Sequence, residues 1–265
     1  MKKKSLLLSM LFGAFILSHA QVGINTTTPN LNSVLDVNSS TKGLLLPRVA
    51  LTATNNPSPL TAHVAGMEVY NTTANTSSAG NEVYPGEYYN DGTRWYRKIS
   101  PSETKFITGG SISDAVPTTV VDVPASNGSP SINTTLSTVS FTLDKPSIVD
   151  FSASVSTVYT ASGSNTTTLS DGSVKLCNIF FIFTSAPGGV STSRFGTDSL
   201  SYTNSTSTTL VSAGAINAAP NASLKLPAGN YVVELRGIAF SGAAFRITYG
   251  INSTDLFTIK ATPIQ

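Results

Sequence analysis

The chain has 265 residues, 40% of them hydrophobic and only 11% charged, with a formal net charge of +2. That charged share is far below the roughly 25% of ordinary globular domains, and it supplies no basic field for nucleic acid or an anionic membrane to recognise. The lone Cys177 excludes an intrachain disulfide.

Lys2-Lys3-Lys4 precede an apolar run from Leu6 to Leu17, followed by Ser18-His19-Ala20. A basic start, a short apolar centre and a small-x-small ending describe a secretory signal peptide, and the run is too short to span a bilayer. Cleavage between Ala20 and Gln21 is expected, with export to the extracellular space or the outer cell surface and no membrane span afterwards. Gln21 stands where a lipid-anchored chain needs cysteine. Loss of three lysines from sixteen basic residues leaves thirteen against fourteen acidic ones, so the mature charge is −1. One histidine, His63, then remains, which excludes a histidine-based metal cluster.

Residues 21–103 are rich in turn formers with short apolar groups between them. Val34, Leu35 and Val37 read as a brief strand, and Leu44-Leu45-Leu46-Pro47-Arg48 as an extended segment. Further on, YPGEYYNDGTRWYRK places aromatic arms on either side of Asn90-Asp91-Gly92, a strong hairpin signal. VGINTTTPN, LDVNSSTKGLLLPRV, GMEVYNTT and YYNDGTRWYRK, in that order over Val22–Lys98, resemble the N-terminal region of exported surface proteins of Bacteroidota bacteria. Related pieces occur in phage tail fibres. The resemblance implies a small, irregular, fibre-like β-module that associates as a homotrimer, and it carries over no catalytic residue.

Ser100-Pro101-Ser102-Glu103 reads as a boundary, dividing a module over 21–103 from a domain over 104–265. Phe141–Tyr159 then holds the longest strict alternation in the chain. Val149, Phe151, Ala153 and Val155 point one way, and Asp150, Ser152, Ser154 and Ser156 the other. Tyr231, Val233 and Leu235 repeat the pattern. Strands are expected near Thr118–Val123, Val139–Leu143, Ile148–Tyr159, Val174–Thr184, Thr208–Ala215, Ser223–Leu226, Tyr231–Arg236, Ala244–Tyr249 and Leu256–Ala261. The fold class is therefore all-β, a C-terminal antiparallel jelly-roll sandwich. The order FTLDKPSIVDFSASV, VKLCNIFFIF, LKLPAGNYVVELRG and LFTIKA is similar to the jelly roll of the C1q and tumour-necrosis-factor-like superfamily, departing from it at Ser147-Ile148-Val149. That likeness implies a compact trimer with Phe180, Phe181 and Phe183 in core and interface.

Chemistry-bearing residues are sparse. His63 lies in a Pro-flanked loop with no nucleophile elbow before it. Asp150 and Glu234 fall in strands, and Asp91, Asp171 and Asp198 near turns, with nothing to pair two of them across a cleft. Asn90-Asp91-Gly92 is too thin for a calcium loop built from side chains. No catalytic residue, cofactor or metal is expected, and Cys177 reads as a buried structural thiol. Tyr84, Tyr88, Tyr89, Trp95 and Tyr96 form the one aromatic cluster. Its main reading is a set of cross-strand pairs; if it binds sugar by stacking, Tyr89 and Trp95 are the contacts. Asp198-Ser199-Leu200 resembles the O-glycosylation acceptor of exported Bacteroidota proteins, with Ser199 the acceptor.

These residues describe a non-enzymatic surface protein for structure or adhesion. Its specificity is expected in two Ser/Thr-rich loops, Ala161–Asp171 and Thr184–Tyr202, presenting themselves to a glycan or a surface protein. The alternative is a carbohydrate-binding module serving extracellular glycan use. A tail-fibre-type depolymerase ranks third for want of an acid and base pair.

Overall fold

The computed structural model describes residues 21–108, 114–126, 132–206 and 214–264. The expected signal peptide with Ala20, and most of the strand expected over Thr208–Ala215, lie outside them. Two compact units divide the chain, Met1–Pro47 and Arg48–Gln265.

In the first unit, β1 (Val22–Ile24) and β2 (Leu35–Val37) run parallel, with Val22 opposite Leu35 and Ile24 opposite Val37. The Asp36 carboxylate accepts the Asn30 N–H at 2.9 Å, holding the intervening turn against β2. None of residues 21–47 is buried.

The second unit starts with a four-stranded sheet ordered β3 (Arg48–Val49), β4 (Glu68–Asn71), β5 (Gly86–Asn90) and β6 (Trp95–Arg97). The β5–β6 hairpin forms where Asn90-Asp91-Gly92 predicts it. The Asp91 carboxylate accepts the N–H groups of Thr93 and Arg94 at 2.7 and 2.8 Å, and Gly92 takes φ +98°, a conformation that a side chain resists. Leu51, Val69, Val83, Tyr88 and Trp95 form its core. Asn71 is buried and fully used, accepting from Leu51 N and donating to the carbonyls of Thr73 and Tyr84.

A capped 3₁₀ turn, Pro101–Glu103, leads into the sandwich. Its strands are β7 (Lys105–Thr108), β8 (Thr119–Val123), β9 (Ile132–Leu143), β10 (Ser147–Ala161), β11 (Lys175–Ser185), β12 (Phe195–Tyr202), β13 (Ile216–Ala218), β14 (Asn221–Leu226), β15 (Gly229–Ser241), β16 (Phe245–Tyr249) and β17 (Leu256–Pro263). One sheet is ordered β12-β11-β15-β9. The other runs β7-β17-β10-β16-β8, with β13 and β14 also paired to β10. All pairings in both are antiparallel. The chain crosses between sheets from β9 to β10, β10 to β11, β12 to β13, β14 to β15 and β15 to β16, the winding of a jelly roll. The protein is all-β, with no α-helix among the described residues.

The alternation in β10 holds from Val149 to Val155, where Val149, Phe151, Ala153 and Val155 are buried and Asp150, Ser152 and Ser154 are not; Ser156, expected on the wet face, is instead fully buried, because its hydroxyl is bonded to the buried Asp255 carboxylate. The four apolar residues face Tyr231, Val233 and Leu235 of β15 across the sheets, within one core. Phe151 is its centre, with ring centroids of Phe195, Phe181, Phe183 and Phe141 at 5.2 to 6.4 Å. Two further expectations need correction. Strand β9 begins at Ile132 rather than near Val139, because a bulge at Leu136 shifts the inward positions from even to odd numbers and hides the period. The second half of the loop expected over Thr184–Tyr202 is strand β12. Its pattern is masked by Asp198, whose carboxylate is turned to use by accepting Ala219 N at 2.7 Å and Ser199 N at 2.8 Å.

Candidate association and ligand surfaces

Three surfaces have the makings of contact sites. The first is the unit carrying β1 and β2, where Val22, Ile24, Leu31, Val34, Leu35, Val37, Leu44 and Leu45 are all exposed, Leu31 at 89%. A two-stranded pair without a hydrophobic face to cover is marginal in water. The sequence nevertheless spends eight large apolar side chains there.

The second is the outer face of the four-stranded sheet. Register places Glu68, Tyr89 and Tyr96 in one row, and Tyr70 beside Glu87 in the next. Tyr89 and Tyr96 stack at 5.3 Å with 17° between their planes, and the Arg94 guanidinium lies 5.5 Å from the centre of the Tyr96 ring. Tyr89 is 41% exposed even with its ring stacked on that of Tyr96. Trp95 is not its companion. At 1% exposure its indole is packed with Leu51, Val69, Val83 and Tyr88, so it cannot offer a stacking face, and the sugar contact expected of it is withdrawn. Alternation explains the split: neighbours in a strand face opposite ways, and Trp95 and Tyr96 are neighbours.

The third surface lies at the open edge of the sandwich, where the turn after β11 meets β14. A cleft of about 430 Å³ opens there over the ring of Phe183, which also lies 4.9 Å from that of Phe195. Arg194 and Lys225 are among the residues that line it, with the Arg194 guanidinium over Phe180 on the other face of β11. A further cleft of about 330 Å³ sits between the 3₁₀ turn and the end of β9, lined by Glu103, Lys105, Asp144 and Lys145. Its charges are already paired: Glu103 holds Arg97 at 2.8 Å and Lys145 at 2.9 Å, and Lys105 lies 3.6 Å from Asp144. Burial pushes the Glu103 carboxyl up, but hydrogen bonds from Arg97, Lys145 and Ser100 N prevail and hold it at about 2.

The remaining singled-out residues are placed as follows. Ser199 is exposed on edge strand β12, opposite Asn178. His63 Nδ1 lies 2.8 Å from Asn90 Nδ2, and its ring is 6.3 Å from Trp95. Asp150 accepts from the Ser223 hydroxyl at 2.7 Å and Glu234 pairs with Arg236 at 2.6 Å. Phe181 and Phe183 belong to the core. Phe180, on the other face of β11, is buried within the same chain under Arg194, whose guanidinium lies 5.7 Å from its ring. These three side chains are therefore not available for a subunit interface. The loop after Ala161 is pinned, since Asp122 accepts Gly163 N at 2.8 Å and both Asp122 and Asn165 take bonds from Arg246. Gln21 donates through its amide to the Leu31 carbonyl at 3.2 Å.

Sequence reasoning missed two buried polar clusters. Lys175 is buried in β11 with its ammonium 2.6 and 2.8 Å from the Asp171 carboxylate oxygens. In the other, Asp255 accepts Ser156 N at 2.9 Å and the Ser156 hydroxyl at 2.5 Å, while that hydroxyl accepts Ile251 N and Asn252 N. Lys175 in the inward phase of β11 was the available signal for the first; Asp255 lies just before β17, outside any strand, and gave none for the second.

No curated protein matches the chain. Among solved structures, the Gx strain of infectious bursal disease virus is similar at 9% identity and a TM-score of 0.31, covering 79% of this chain and 61% of that one. The VP2 subviral particle of the same virus is similar at 10% identity and a TM-score of 0.29, covering 72% and 51%. The chain thus spans between about half and three-fifths of those structures, and likenesses so slight add nothing to the topology described above. A family description does match part of the chain: residues 23–113 fit the phage tail like trimerisation region.

Proposed function

We propose that the chain is an exported, non-enzymatic structural protein that assembles as a homotrimer through its N-terminal segment and uses the sandwich edge and loops for contact at a cell or fibre surface. The observation that carries this reading is the first unit, whose described residues 21–47 expose eight apolar side chains and bury none, seven of the eight lying inside the span matched by a trimerisation family. Covering Leu31, Leu44 and Leu45 contributes roughly 1–2 kcal/mol each. Three chains meeting along this segment supply that cover, and a single chain does not.

The export signal at residues 1–20 and the low charge fit a protein working outside the cytoplasm. The polar pairs of Asp150, Glu234, Asp198 and His63 read as structural bonds rather than an acid and base facing a substrate. Sedimentation equilibrium on residues 21–265 tests the assembly: a particle of three chains agrees with it, and a monomer at micromolar concentration refutes it.

A further inference from the structure

We infer that the free edge of β9 takes up an extended, uncharged strand of a partner protein, one that lays an apolar side chain in the cleft beside Leu143. This deepens the reading of the sandwich edge as a contact surface and rests on it.

Strand β9 has 12 residues, is bonded to β15 alone among the described residues, and contains no charged residue, proline or glycine. An open edge of that kind presents alternate N–H and C=O groups to any strand that comes beside it. The other outer strands of the sandwich are guarded. On the opposite side β12 meets β13 and β14: Asp198 accepts Ala219 N at 2.7 Å, and Gly196 lies so near the Asn221 carbonyl that a Cβ would stand 2.8 Å from it. β8 is preceded by Pro117 and ties its Asp122 to Arg246 and to Gly163 N. β7 has 4 residues, a break in register and Lys105. β9 carries one bulge, at Leu136, and past it residues 137–143 run unbroken.

The ground beside β9 points the same way. Residues 147–152 of β10 bond to β14 on one side and to β17 on the other. Short turns at residues 144–146 and 227–228 carry β9 over β10 and β15 over β14. β17 and β7 therefore extend past the last strand of the facing sheet, and a strand added to β9 lies above them. There the core ends on half-buried Val139 and Ile107. The cleft of about 330 Å³ opens at the same step, with Ile107, Leu143, Ala261 and Pro263 in its lining. Its charges are matched within the chain, Glu103 by Lys145 and Lys105 by Asp144, so the side chain that it suits is apolar. The occupant is a strand because an extended backbone repeats N–H and C=O at the spacing of β9. It is uncharged because Thr138, Ser140 and Thr142, on the exposed face, offer it hydroxyl neighbours and no ion to pair.

The test uses the full mature chain and the acetylated, amidated peptide Leu-Thr-Val-Thr-Val-Thr-Val, whose leucine comes beside Leu143 in an antiparallel alignment. Hydrogen exchange read by mass spectrometry should show new protection over residues 137–143 when the peptide binds. Two further peptides carry N-methyl groups on all the valines or on all the threonines. In an added strand only one of these sets of N–H groups faces β9, so one peptide should lose about tenfold or more in affinity and the other should keep it. Serine in place of the peptide's leucine, or Ile107→Ser in the chain, should each weaken binding several-fold, and both together little further. No protection of residues 137–143 at millimolar peptide, equal binding of the two methylated peptides, or full affinity of the serine peptide overturns the proposal. Protection of the same residues in the chain alone that grows with its own concentration assigns the edge to a second copy and overturns it likewise. Trimeric chains that fail these titrations keep the assembly reading and lose the edge. Monomeric chains that pass them do the reverse.

Discussion

Removing the carboxylate of Asp255 should unfasten the far end of the sandwich. Asp255 is 2% exposed and Ser156 is fully buried. The carboxylate takes both donors of Ser156, its N–H and its hydroxyl, and the hydroxyl in turn holds Ile251 N at 2.9 Å and Asn252 N at 3.0 Å. The backbone joins the same point, with Gly250 N donating to Ser156 O and Ala115 N to Asp255 O. Asp255→Ala leaves two buried donors without an acceptor at about 1–3 kcal/mol each, less what a water entering the vacated space returns. A net loss of about 2–4 kcal/mol follows, and a fall in Tm of roughly 5–15 °C. Asp255→Asn keeps one acceptor oxygen and should lose about half as much. Ser156→Ala should cost a comparable amount, since it takes the hydroxyl donor from the buried Asp255 carboxylate, while Ile251 and Asn252 are exposed residues whose freed N–H groups can reach water. Far-UV circular dichroism against temperature and urea reads all three. A loss below about 0.5 kcal/mol for Asp255→Ala, the range of ordinary surface changes, would refute the reasoning.

Other expectations follow from the same geometry. Trp95→Ala empties the core of the four-stranded sheet and should cost about 3–5 kcal/mol, whereas Tyr89→Ala, on the exposed face, should cost under about 1 kcal/mol; equal urea midpoints for the two would contradict their placement. Glu103 has its folded-state carboxyl lowered from 4.5 to about 2, so its contribution is present above the unfolded value and disappears as pH falls from about 4.5 through about 2. Glu103→Gln should therefore flatten the acid limb of a stability profile, and an unaltered limb speaks against the pairing with Arg97 and Lys145. Burial pushes the Cys177 thiol up to about 11, so a thiol reagent at pH 8 should label it only in denaturant. Rapid stoichiometric labelling of the native chain contradicts its burial.

Much of this architecture was legible in the residues. Strands with one wet and one dry face write themselves as alternation, as at Val149–Val155 and Tyr231–Leu235, and the Asp91-Gly92 turn states its own geometry. Bulges and buried charges broke the code. The extra residue at Leu136 reversed the phase of β9, and Asp198 stood where β12 needed an apolar residue. The placement of Trp95 could have been deduced, since it must face away from Tyr96, but composition alone grouped every aromatic together. The cleft at Arg194 and Lys225 was not readable in advance, because its walls come from residues about thirty positions apart, joined only by the meeting of two sheet edges.

Assembly through residues 21–47 is open to a direct measurement. Native mass spectrometry of residues 21–265 should return three chains for the wild type, and predominantly single chains for Leu31→Ser/Leu44→Ser/Leu45→Ser at the same concentration, with unchanged far-UV circular dichroism of the sandwich. A wild-type monomer, or a triple variant that assembles as tightly as its parent, contradicts it.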